Sequence, residues 1–144
     1  MKVVYVRLRF LNCYLLNTRQ IKQKAKGMDK MSLQNETIKP VKEGASPFTK
    51  EEVREFLAQL SDQWVVDDDY TKIRVEFKFK NFKKALDFVN AVGEVADAAM
   101  HHPDITLGWG YAHLEIQTHS ISGLHKADFV LAAKADALYQ QTAQ

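Results

Sequence analysis

The sequence predicts an α+β domain: one four-stranded antiparallel sheet with three helices packed on one face, in the order α-β-β-α-β-β-α. Three observations predict it. Residues 73–79 and 112–118 alternate apolar and polar side chains with the period of a half-buried strand. Each is preceded, across a turn-forming stretch, by a shorter apolar segment that suits a hairpin partner. Three segments with helical apolar spacing flank and separate the two pairs.

Taken in order, the first helix begins at Thr49-Lys50-Glu51-Glu52, a capping box in which the threonine hydroxyl accepts from the Glu52 N–H and the glutamate reaches back. Phe48 and Val53 are placed for a hydrophobic staple. Val53, Phe56, Leu57 and Leu60 then recur at i, i+3, i+4 and i+7, and Ser61-Asp62 ends the run. Trp64-Val65-Val66 is a short strand and Asp67-Asp68-Asp69 a solvated turn, without the spacing of a calcium loop. Ile73, Val75, Phe77 and Phe79 alternate with Lys72, Arg74, Glu76, Lys78 and Lys80, so one face is buried and the other is wet or meets a partner. Asn81 is the N-cap of a second helix that buries Phe82, Ala85, Leu86, Val89, Val92 and Ala96.

That helix must stop at Pro103. The residue before a proline is driven out of the helical region, so His102 leaves the helix while His101 closes its last turn. Residues 105–107 form a short strand and Gly108-Trp109-Gly110 a turn. Ala112, Leu114, Ile116 and Thr118 then alternate with Tyr111, His113, Glu115, Gln117 and His119, which puts His119 by parity on the polar side. A last helix, roughly residues 125–140, carries Leu131, Ala135 and Leu138 on one face, with Asp128 in its first turn, where a carboxylate suits the helix dipole. The uncovered sheet face, with mixed charge and an exposed Tyr111, is available for subunit contacts.

Composition bounds the class. With 144 residues and 46% hydrophobic content the chain suits one soluble domain with a real core. A single cysteine, Cys13, excludes an intramolecular disulfide framework and a cysteine-based metal site, which points to a reducing, cytoplasmic compartment. No apolar run is long enough to span a bilayer. The net charge of +2 conceals a split, +7 over residues 1–45 and −5 over residues 46–144. The acidic balance of the domain argues against direct nucleic-acid binding.

Residues 1–47 read as a basic, weakly ordered N-terminal extension and linker, and residues 48–144 as the domain. Arg7 and Arg9 interrupt the apolar head and no small-residue cleavage site follows, so it makes a poor signal peptide. It also lacks the serine enrichment of an organelle presequence, and translation from Met28 or Met31 is the simplest account of it. Residues 32–47, polar with Pro40, Gly44 and Pro47, read as linker.

The chemistry gathers in His101, His102 and His119. Histidine both gives and takes a proton near neutral pH, so three imidazoles brought together by a helix end and a strand end make a proton-transfer site. A lone histidine is usually an ordinary surface residue, and His113 is read so. Asp128 is equally a helix-start carboxylate and a partner for His119, and Trp109 is equally a packing residue at a pocket rim and a platform for a ring. A zinc hydrolase is the competing reading, since Asp97 and His101 stand at i, i+4 and could ligate with His119, but no HExxH is present.

Asp97-x3-His101-His102-Pro103, five residues, Trp109, nine residues, His119, eight residues, Asp128 resembles the signature of the pterin-4a-carbinolamine dehydratases. Trp64, the run Phe77-x-Phe79-x-Asn81-Phe82, Thr118-His119 and Gly123-Leu124 also match, and the resemblance covers roughly residues 48–139. It implies a hydro-lyase that converts 4a-hydroxytetrahydropterin to quinonoid dihydropterin and water, recycling the tetrahydrobiopterin of aromatic amino acid hydroxylases without a metal or organic cofactor. It implies a pterin substrate, a homodimer or homotetramer, and a functional link to a hydroxylase. Carried over, His101, His102 and His119 are the catalytic set, with His101 and His119 as the proton-transfer pair and His102 orienting the ring or leaving hydroxyl. Asp97, Pro103, Trp109 and Asp128 bind or orient substrate. The alternative it implies is a non-catalytic dimerisation or assembly cofactor for a protein partner, since some animal members serve a homeodomain transcription factor in this way.

Two departures stand out. Asp97 replaces the glutamate of most members, one methylene shorter in a position to fix the His101 tautomer or meet the pterin. His125 replaces a threonine that would cap the last helix with Asp128 as its box partner, a change expected to cost stability more than chemistry.

Overall fold

Parity decides the architecture. In the computed structural model the strand Ile73–Lys78 buries Ile73, Val75 and Phe77 and exposes Arg74, Glu76 and Lys78. Its partner Tyr111–Ile116 places Ile116, Leu114 and Ala112 directly opposite those three, on the same buried face. The structure describes residues 32–142, all within a unit spanning Met31–Gln144. The readings made for residues 1–31, including the start at Met28 or Met31, lie outside the described residues.

The elements are α1 (Ser32–Asn35), α2 (Lys50–Leu57), β1 (Val65–Val66), β2 (Ile73–Lys78), α3 (Phe82–Ala98), β3 (Asp104–Gly108), β4 (Tyr111–Ile116), a 3₁₀ turn (His119–Ile121) and α4 (Lys126–Thr142). The sheet runs β1-β2-β4-β3, antiparallel throughout, as expected. One short helix, α1, is added to the three foreseen.

The caps hold as read. Thr49 N–H donates to Glu52 Oε2 at 2.8 Å and Glu52 N–H to Thr49 Oγ1 at 3.3 Å. The Asn81 carboxamide oxygen accepts from Lys84 N–H at 2.9 Å. In the β1–β2 turn one Asp67 carboxylate accepts from the N–H groups of Thr71 and Lys72 and from the Thr71 hydroxyl. Burial opposes its ionisation, but the Thr71 and Lys72 hydrogen bonds and the Arg74 charge prevail and hold its pKa below the usual carboxylate value.

The core lies between the sheet and the helices, with Phe88 edge-on to Phe77 at 5.0 Å between ring centres. Helix α4 departs from the single apolar face expected of it, because every residue from Ala127 to Ala133 is buried. It packs against α1, α2 and α3, and a helix enclosed on several sides buries residues all round. Asp136 ties it to the α2–β1 connection by accepting from Ser61 N–H, Ser61 Oγ and Trp64 Nε1.

The stretch read as linker is packed over part of its length. Leu33 and Ile38 are buried against the domain, Lys134 Nζ donates to the Gln34 carbonyl at 2.8 Å, and Lys126 pairs with Glu36 at 2.6 Å. Two isolated apolar residues in a polar run give no periodicity, so local sequence carries no sign of this packing.

On the outer sheet face, residues paired across β2 and β4 form a charge ladder. Glu115 accepts from Lys72 and Arg74, each at 2.6 Å, and Glu76 sits with Lys78 and His113. Tyr111, expected to be exposed, is half-buried beside His113 and under Lys78. The Lys72 hydrogen bond, against some burial and with help from Arg74, lowers the Glu115 pKa below its ordinary value. A depressed carboxylate stabilises the fold above its unfolded pKa, and that share is lost as pH falls through the folded value. Glu115→Gln should therefore cost up to about 1 kcal/mol near neutrality, a partly exposed pair being screened, and the gap to wild type should close in acid. Urea denaturation at a series of pH values measures it; a constant gap would show that charge is not its source.

Candidate active site

Helix α3 ends differently from the expectation. Its last residue is Ala98, Ala99 is the C-cap, and Met100 stands in the left-handed region with φ 51°. Met100 N–H donates to the Asp97 carbonyl and His101 N–H to the Ala96 carbonyl, each at 3.0 Å, the paired closure of a Schellman motif. His101 thus lies beyond the helix rather than in its last turn. Glycine is the usual residue at Met100's position, and an L side chain there costs roughly 1–2 kcal/mol.

This ending breaks the i, i+4 geometry between Asp97 and His101. The Asp97 Oδ1 is instead 3.2 Å from His102 Nε2, with both side chains exposed. The carboxylate on His101 is Asp128, whose Oδ1 lies 2.8 Å from His101 Nε2. Asp128 is fully buried, and its Oδ2 also accepts from Thr118 Oγ1 at 2.8 Å and from the His125 backbone N–H at 2.7 Å. It is therefore a helix-start carboxylate and a histidine partner at once, though of His101 rather than His119. A carboxylate only accepts, so His101 Nε2 carries the hydrogen and Nδ1 is the nitrogen left for exchange.

The expected threonine half of the α4 cap is absent at His125, but its backbone half survives through Asp128, and the His125 ring stacks on Phe48 at 5.1 Å. Strand β4 stops at Ile116, short of the alternation read through His119. Thr118 bridges to Gly123, closing a loop whose 3₁₀ turn begins with His119 and ends at Ser122 in the left-handed region. A Cβ at Gly123 would come within 2.5 Å of Pro47, so only glycine lets the loop seat there. The His119 side chain makes no hydrogen bond among the described residues.

His101, His102 and His119 line one cavity of about 290 Å³, at the small end of ligand pockets. Gln117, Thr118 and Ser120 add polar groups, and Pro40, Val41, Ala99 and Met100 add apolar ones. Sequence reading missed Pro40, Val41 and Met100, of which the first two come from the stretch taken as linker. A larger hollow of about 580 Å³ on the outer sheet face is lined by Arg74, Glu76, His113 and Glu115, away from this set.

All four residues assigned to substrate stand outside the cavity lining, the buried Asp128 among them. Asp97 is exposed beyond it, and Pro103 immediately precedes β3. Trp109 is 73% exposed in the β3–β4 turn, separated from His102 by all of β3, about 16 Å at strand rise. Neither the rim nor the platform reading holds for Trp109 within one chain. Among the described residues no group of three or more His, Cys, Asp or Glu side chains is arranged to hold a metal, and Asp97 faces His102 rather than joining His101 and His119.

The profile of the pterin 4 alpha carbinolamine dehydratases matches residues 46–138. The chain belongs to this family. A relative from Halorhodospira halophila, which carries the pterin-4-alpha-carbinolamine dehydratase name provisionally, is 51% identical over 108 residues, 75% of this chain and 98% of that protein. One from Methylococcus capsulatus, provisionally named in the same way, is 46% identical over 111 residues, 77% and 96% of the two chains. The crystal structure of a transcriptional coactivator/pterin dehydratase from Brucella melitensis aligns with TM-score 0.61 and 30% identity, covering 65% of this chain and 98% of its own. In this member of the family the cavity borders the Asp128 network through His101 and Thr118. Asp128→Asn replaces one acceptor by an NH₂ that faces a donor, so stability should fall by about 1–3 kcal/mol and the His101 proton should shift toward Nδ1. Nitrogen-15 NMR of the imidazoles reads the tautomer directly; an unchanged His101 spectrum would show that Asp128 does not set it.

Proposed function

We propose that this chain is a hydro-lyase that dehydrates 4a-hydroxytetrahydropterin to quinonoid dihydropterin and water. The observation that carries the reading is the cavity lined by His101, His102 and His119, with His101 held by a buried carboxylate. Forming the C4a–N5 double bond requires that N5 lose a proton while the 4a hydroxyl gains one and leaves as water, with the N5 electrons supplying the push. One base and one acid complete that balance.

His101 is suited to be the base. Asp128 fixes its Nε2 hydrogen, aims the ring and stabilises the imidazolium that forms, as an orienting carboxylate does for any histidine base. His119, exposed and without a hydrogen bond among the described residues, is suited to be the acid, since its proton is replaced from water. His102, exposed and paired at 3.2 Å with Asp97, orients the ring or the leaving hydroxyl. Membership of the family supports a role in recycling the pterin of an aromatic amino acid hydroxylase, and the single cysteine supports a reducing, cytoplasmic setting. No helix among the described residues is long and apolar enough to cross a membrane. Phe82 and Leu86, expected in the core, are instead exposed on α3 at i and i+4, because Ala85, Phe88 and Val92 fill the buried face of that helix, and they suit a surface for a homodimer or homotetramer.

A second reading, a dimerisation or assembly role, draws on the Brucella melitensis protein being described as coactivator and dehydratase together. One assay separates the two. In a coupled phenylalanine hydroxylase reaction the wild type should speed decay of the carbinolamine absorbance, and His101→Ala or His119→Ala should slow it by about two to four powers of ten. His102→Ala should raise KM more than it lowers kcat. No acceleration by folded wild type would end the catalytic reading and leave the binding role.

A further inference from the structure

We infer that Met100 is a substrate-positioning residue, its thioether forming part of the apolar wall against which the flat ring lies beside the three histidines. The inference rests on the cavity being a pterin site.

The fold itself has no use for this side chain. Closure of the α3 end needs only the backbone N–H groups of Met100 and His101, which any residue but proline supplies. The left-handed backbone at φ 51° favours glycine, and with the side chain 80% exposed no burial offsets the strain. An unfavourable residue, kept where a better one is available and contributing nothing to the core, points to use by something that arrives later.

Its position says what arrives. Among the described residues the exposed large apolar side chains are Val65, Phe82, Leu86, Met100 and Trp109, and only Met100 lines the cavity of the histidines. It directly precedes His101, so a ring resting on it lies next to the proposed base. Pro40, Val41 and Ala99 extend the same apolar lining with shorter or stiffer groups. An unbranched, polarisable thioether suits the face or edge of a flat heteroaromatic ring and adapts to its outline. The polar residues of the cavity address the reacting atoms, while Met100 addresses the ring plane and so governs affinity and the choice of ring.

Met100→Gly and Met100→Leu test this, read by melting midpoint, by steady-state kinetics in the coupled assay, and by fluorescence quenching with 7,8-dihydrobiopterin as the probe. Met100→Gly should melt a few degrees higher, bind the dihydropterin about tenfold more weakly and raise KM by a similar factor, with kcat within about twofold. Met100→Leu, which keeps the apolar area, should hold KM within about threefold of wild type. Unchanged binding and KM in the glycine variant would overturn the inference, as would a loss confined to kcat, which would assign Met100 to backbone support of His101. If wild type neither binds the dihydropterin nor turns over the carbinolamine, the pterin reading itself fails and carries this inference with it, a result told apart from the others by its appearance in the unmutated protein.

Discussion

The buried Asp128 carboxylate is the constraint on which the site depends. A carboxylate withdrawn from water is costly unless its oxygens are fully engaged, and here three donors from separate parts of the chain engage it: His101 after α3, Thr118 after β4 and the His125 N–H before α4. Satisfying the charge therefore fixes where three loop segments meet. The same bonds close the first turn of α4 and orient the His101 ring, so the helix start and the site geometry are one structural problem with one solution. The Thr118–Gly123 bridge then sets His119 against the cavity reached by His101 and His102. Pro47 against Gly123, and Pro40 and Val41 in the cavity lining, show that the segment before α2 belongs to this assembly as well.

Most of the fold was legible because its signals are local. Alternation over β2 and β4 is a property of consecutive residues, and so are the Thr49–Glu52 box and the Asn81 cap; all appear where the pattern puts them except the end of β4, which stops at Ile116. What escaped depends on distance or on a substituted residue. Leu33 and Ile38 gain burial from α4, about a hundred residues away, and nothing nearby marks them. The α3 terminus was misread because its left-handed position holds methionine: Pro103 showed that the helix must end, but the residue type that would have shown where was missing. In the site the histidine set could be named from spacing, whereas the pairing of carboxylates with histidines could not. Asp97 and His101 share a face only if the helix continues, and it stops one turn too soon.

Trp109 illustrates a different limit. Its spacing in the signature is as regular as that of the histidines, yet β3 carries it to the far end of the sheet, where the two-residue turn with Gly110 leaves it 73% exposed. Spacing alone is silent on whether fold, cavity or partner uses a position. For Gly108 the answer is visible, because the Tyr111 ring occupies the space a Cβ would need. For Trp109 the described chain offers no packing reason.

The three imidazoles are held in three unequal ways, and the inequality suits the proposed dehydration. A base must be aimed before the reaction, and His101 is suited to that: its side chain is only 14% exposed and one ring nitrogen is bonded to a buried carboxylate that Thr118 and the His125 N–H also hold. An acid must be recharged after each turnover, which favours an exposed ring with no competing partner, and His119 is exposed and makes no side-chain hydrogen bond among the described residues. His102 lies between these limits, exposed but tethered at 3.2 Å to a carboxylate that is itself mostly in water, and a pair of that kind is worth little energetically. It can turn toward a bound molecule at small cost. Lengthening residue 97 by a methylene, to glutamate, would change that tether and leave the Asp128–His101 bond untouched, which would separate the histidine proposed to orient from the histidine proposed to react.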